Sequence, residues 1–115
     1  MSGKIDLTML KQYEDMLSKE KMLFLFSEYK EKINTDMPKI DKYTAYKDLD
    51  NLRIAYHSLA SASLVFGMVN FAKLCRKIEE MILEGKNIDE LKDFIEESKM
   101  LLKTDKKQVE MYLEK

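Results

Sequence analysis

The chain has 115 residues, of which 45% are hydrophobic and 36% charged, and 20 Lys and Arg against 21 Asp and Glu leave a net charge of -1. A chain of this length makes one domain over residues 1–115, large enough to bury roughly two-thirds of its surface without covalent staples. The charge balance argues against a nucleic-acid partner and against a polybasic membrane anchor, and 3 Gly with 1 Pro cannot supply the turns of a β-sandwich or barrel.

Five helices are expected in chain order. Asp6 is a plausible cap for a short first helix over 6–17, with Leu10, Tyr13, Met16 and Leu17 at helical spacing. Ser18 caps a long second helix over 19–46, whose stripe reads Phe26, Tyr29, Ile33, Met37 and Ile40. Pro38 interrupts it, so a bend or a split into two helices is expected there. Asp48 opens a third helix reaching Phe66, with Leu49, Leu52, Tyr56, Leu59, Ser63 and Phe66 turned inward, and Gly67 ends it. A fourth over 68–84 buries Phe71, Leu74, Cys75, Ile78 and Ile82. The stop Gly85-Lys86-Asn87 precedes a fifth over 88–113, carrying Leu91, Phe94, Ile95, Leu102, Val109 and Tyr112. Short connections make neighbouring helices antiparallel. The expected fold is all-α: an up-down-up-down antiparallel four-helix bundle with a short additional N-terminal helix.

The lone Cys75 excludes an internal disulfide and fits a reducing, cytoplasmic setting. Residues 1–6 lack a signal-peptide core, and no apolar run approaches the ~20 residues of a membrane span. One Cys and one His cannot supply the four protein ligands of a structural zinc site. Walker, GxGxxG, GxSxG and HExxH motifs are missing. The chain therefore carries no cofactor-binding or metal-binding signature of its own.

One imidazole remains as a candidate nucleophile. His57 lies off the inward stripe of its helix, and the stretch Ser58-Leu59-Ala60-Ser61-Ala62-Ser63 surrounds it with small side chains, leaving room for a partner. His57, Leu59, the small residues through Ser63, then Gly67, Phe71, Cys75, Ile78 and Glu79 resemble the signature of histidine-containing phosphotransfer (HPt) domains. The order and spacing agree over 23 residues counted from His57 to Glu79, and the helical layout resembles the family along nearly the whole chain.

The resemblance implies a phosphorelay intermediate. His57 would accept a phosphoryl group from the aspartyl phosphate of a receiver domain and pass it to another. The receivers, in response regulators or hybrid sensor kinases, would hold the Mg²⁺. The protein would be a carrier without turnover of its own, acting as a monomer. Glu79 stands where the family places a Gln or Glu that orients the imidazole; a solvent-facing glutamate is the other reading.

Two positions depart from the pattern: the family's lysine three residues past the histidine is Ala60, and the glycine four past it is Ser61. Arg53, four residues before His57 on the same face, could supply the missing cation, or it could pair with Asp50 or Asp48. Ser61 could donate a hydrogen bond to the phosphoryl group. Leu64, Met22, Leu25 and Ala60 are candidates for the partner-binding patch, although Met22 and Leu25 could instead meet the first helix. Should the departures at Ala60 and Ser61 weaken transfer, the chain would be a receiver-binding module acting by sequestration or as an adaptor. A histidine-kinase dimerisation hairpin fits less well, because Ser58 follows His57 where that family carries an acidic residue. A coiled-coil scaffold fits less well again, since Pro38, Gly67 and Gly85 interrupt any sustained heptad. A start at Met1 fits a freestanding protein, and excision from a longer hybrid kinase is the alternative.

Overall fold

A computed structural model describes residues 5–114, all of whose regular structure is helical: α1 (Leu7–Leu17), α2 (Lys19–Ala45), α3 (Leu49–Leu64), α4 (Val69–Leu83) and α5 (Ile88–Leu113). The helix starts follow the expected caps. Asp6 accepts from the Met9 amide, Ser18 from Lys21 and Asp48 from Asn51, and Asn87, expected only as part of a stop, also caps, accepting from Glu90. Each satisfies a backbone N–H that the first turn leaves without an intrahelical partner. Gly67 and Gly85 both adopt positive φ just past a helix end, as expected of the only residue that does so without strain.

Helix α2 passes through Pro38 as one continuous element rather than two. The proline is exposed, and so is Asn34, whose carbonyl loses its usual amide partner there; water can therefore take that place.

Helices α2, α3, α4 and α5 pack in a closed ring, each against its two neighbours, and α1 lies on α2. The core comes from one stripe of each helix: Met22, Phe26, Tyr29, Ile33 and Ile40 of α2, Leu52, Tyr56 and Leu59 of α3, Phe71, Cys75 and Ile78 of α4, and Leu91, Ile95, Leu102 and Val109 of α5. Leu74, Ile82, Phe94 and Tyr112, expected inside, are only partly covered and pack at its edge. Cys75 behaves as a small hydrophobe, its thiol pushed up by burial.

Two buried hydrogen bonds fix how α3 is rotated about its axis. Ser63 Oγ donates to the Leu59 carbonyl at 2.7 Å, so the Tyr29 hydroxyl, 2.6 Å away on α2, must be the donor to Ser63. Likewise Ser98 Oγ donates to the Ile95 carbonyl, and the Tyr56 hydroxyl of α3 donates to Ser98 at 2.8 Å. With Tyr56 turned to α5, the next residue, one-hundred-degree step onward, must leave the core. That residue is His57.

The start of α1 is tied to the α3–α4 connection and to α5. The Asp6 amide donates to the Gly67 carbonyl at 2.7 Å, and the Ile5 amide donates to Gln108 Oε1 of α5. A side chain at Gly67 would collide with the Asp6 backbone.

Candidate functional site

The site forms where the exposed faces of α3 and α4 meet. On α4, Cys75 and Ile78 are buried, so Arg76 and Glu79, each one residue further on, emerge together toward α3. The His57 side chain is 58% exposed, whereas Glu79 beside it is 14% exposed. Nδ1 of the imidazole lies 2.9 Å from Glu79 Oε2 and 3.2 Å from Oε1. Nε2 makes no hydrogen bond among the described residues, and more than half of the side chain is open to solvent. The glutamate is thus the fixed partner and the ring the presented one.

Two guanidinium groups flank this pair. Arg53 Nη1 is 3.9 Å from Glu79 Oε2, and it turns to this carboxylate rather than to Asp50 or Asp48. Arg76 Nη1 lies 3.5 Å from Glu79 Oε1 and only 3.1 Å from His57 Nδ1, while its Nη2 is 3.4 Å from Ser61 Oγ. Half-exposed ion pairs contribute little to stability. The value of the cluster is positional: four charged or polar side chains converge on one imidazole.

Sequence reasoning brought His57, Glu79, Arg53 and Ser61 together but missed Arg76. The expected cation, Arg53, lies on the histidine's own helix, whereas the nearer one comes from the neighbouring helix, three residues before Glu79. That i,i+3 spacing was the available signal, because residues so spaced share a helix face.

Two of the four candidate partner-binding residues need correction. Met22 and Ala60 are both 0% exposed. Met22 continues the α2 core stripe one turn before Phe26, and Ala60 lies beside Leu59 on the inner side of α3, so neither can meet a partner. Leu25 and Leu64 are half-buried. The exposed apolar side chains at the start of α2 are instead Leu23 and Phe24. Leu64 stands two helical turns beyond His57 on the same face of α3 and lines a shallow groove of about 390 Å³ with Val69, Lys73 and Arg76.

The family model described as Hpt domain matches residues 25–110, about three-quarters of the chain and the stretch that holds every side chain of this cluster. The chain belongs to the Hpt domain family. Among curated proteins, and among solved structures, no match to the chain is found. An Hpt domain is a histidine phosphotransfer module of two-component signalling that works with receiver domains, and its helical bundle agrees with the architecture seen here. No helix among the described residues of this Hpt domain is long and apolar enough to cross a membrane.

Proposed function

We propose that this Hpt domain is the histidine intermediate of a multistep phosphorelay, taking a phosphoryl group on His57 from a receiver-domain aspartate and delivering it to a second receiver. The observation that carries this reading is the asymmetric imidazole: on an exposed ring, Nδ1 is held at 2.9 Å by a mostly buried carboxylate while Nε2 has no hydrogen bond among the described residues. In-line attack needs a neutral ring with a bare Nε2 and a proton on Nδ1. The Nε2 lone pair forms the N–P bond, the P–O bond to the aspartate breaks, and the carboxylate leaves with that electron pair. Glu79 accepts the Nδ1 hydrogen bond throughout and balances the positive charge that the ring gains.

The Mg²⁺ for this step belongs to the receiver, whose own acidic pocket would hold it. Docking would use the half-buried Leu25 and Leu64 with the exposed Leu23 and Phe24, a patch suited to a transient interface of modest area. We take the domain to act as a monomer in the cytoplasm, a reading supported by its single unpaired cysteine.

The test is transfer from a phosphorylated receiver domain to the purified chain, wild type beside His57→Gln. Acid-labile label on the wild type alone is the expected result. A folded wild type that binds receivers yet takes no label would overturn phosphotransfer and leave a receiver-binding adaptor.

A further inference from the structure

Two groups compete for one nitrogen. Glu79 can accept a hydrogen bond at His57 Nδ1 only if that nitrogen is protonated, and Arg76 can donate one at 3.1 Å only if it is bare. A neutral imidazole satisfies one of these at a time. When Arg76 holds Nδ1, the ring proton sits on Nε2, and the nitrogen that must attack phosphorus has no lone pair to offer. When Glu79 holds Nδ1, Nε2 is bare.

The cluster also carries an unbalanced charge. Arg53 and Arg76 supply two positive charges against one negative charge on Glu79, a net of +1 with the imidazole neutral. An arriving phosphoryl group brings negative charge to the Nε2 side of the ring. Arg76 is the more exposed of the two arginines, 44% against 32%, and besides the ring it has only two long contacts, 3.5 Å to Glu79 Oε1 and 3.4 Å to Ser61 Oγ. It is the cation free to move.

Building on the phosphotransfer reading above, we propose that Arg76 is a positioning residue that couples the tautomer of His57 to the arrival of the phosphoryl group. In the resting protein Arg76 competes with Glu79 for Nδ1 and so keeps a fraction of the rings with the proton on Nε2. When a phosphoryl group docks, Arg76 swings to its oxygens. Nε2 then gives its proton to water, Nδ1 takes one up and donates it to Glu79, and the bare Nε2 attacks. Ser61 is the resting anchor, holding the second arm of the guanidinium. The departures at Ala60 and Ser61 thereby acquire a common reason: the cation comes from α4, and a hydroxyl on α3 parks it.

The experiment uses the full chain with ¹⁵N-labelled histidine. Ring-nitrogen NMR above the imidazole titration range reports the tautomer of the free protein, and potassium phosphoramidate, which phosphorylates imidazole with loss of ammonia, tests the site without a receiver. Arg76→Ala should raise the ratio of Nδ1–H to Nε2–H about fivefold, the effect of losing one charge-assisted hydrogen bond at a half-exposed site. It should also shorten the phosphohistidine lifetime. Arg76→Lys keeps the charge but lacks the planar fork that reaches Nδ1 and Ser61 together, so its tautomer ratio should follow the Ala variant and its lifetime the wild type. Equal tautomer ratios in wild type and Arg76→Ala overturn the proposal. A wild type that takes no label while its tautomer still depends on Arg76 supports the arginine's hold on the ring and overturns the phosphotransfer reading beneath it.

Discussion

Replacing Asp105 with asparagine should stabilise this protein at neutral pH, and the gain should vanish as the pH falls. Asp105 of α5 is 0% exposed, and neither of its carboxyl oxygens has a hydrogen-bond partner among the described residues. Burial pushes the carboxyl up from 3.8 to about 6. Between those values the folded chain holds a proton that the unfolded chain has released, so stability falls as pH rises through the window. Below 3.8 both states are protonated and the penalty disappears; above about 6 both are ionised and it is complete. At 1.36 kcal/mol for each tenfold change in proton affinity, the full penalty is at most about 3 kcal/mol. Against a total of about 5–15 kcal/mol for a domain, that is a large fraction. Tyr29, the neighbouring phenol that feels this charge, is itself pushed up by burial and stays neutral throughout. Urea unfolding of both proteins from pH 4 to pH 8 measures the difference, and taking the difference cancels every other carboxylate. The asparagine keeps an unpartnered amide, so its own offset does not vary with pH, while the gap to wild type should widen toward pH 7. A gap independent of pH would refute the reasoning, as would one that narrows on going from pH 4 to pH 7.

Two other substitutions test the site and its frame. Glu79→Ala should slow phosphoryl transfer from a receiver about tenfold by releasing the imidazole, and Glu79→Gln should retain most of the rate because its amide oxygen still accepts from Nδ1; equal losses in both would mean that the charge, rather than the hydrogen bond, matters. Gly67→Ala should cost about 2 kcal/mol or more in urea unfolding, because φ is +70° there and the new methyl meets the Asp6 backbone; an unchanged midpoint would sink that account.

The helices were legible because their punctuation is explicit. Asp6, Ser18, Asp48 and Asn87 each combine a capping side chain with an apolar periodic run, and Gly67 and Gly85 mark two ends. The fifth helix was placed to the residue at both ends. The misreadings share one cause, which is that a stripe was stopped or interpreted by residue type rather than by period. Met22 precedes Phe26 by four and belongs to the same inward row. Asp105 sits between Leu102 and Val109 at spacings of three and four, a core position by geometry that its charge disguised. Arg76 was hidden for a different reason. Its approach to His57 depends on how α3 and α4 face one another, and the facing of α3 is set by contacts far off in sequence such as the one between Tyr56 and Ser98. Periodicity within one helix carries no information about that setting.

All five side chains of the site, Arg53, His57, Ser61, Arg76 and Glu79, fall within one helical hairpin whose connection is residues 65–68. Bringing them together closes a loop of only about twenty residues, which costs little chain entropy, so the phosphate-handling surface is assembled from local contacts that form early and cheaply. Asp105, on α5, lies outside that hairpin. The chemistry of the site and the stability penalty carried by Asp105 are therefore written in separate parts of the chain, and that penalty can be tuned while the site is held constant.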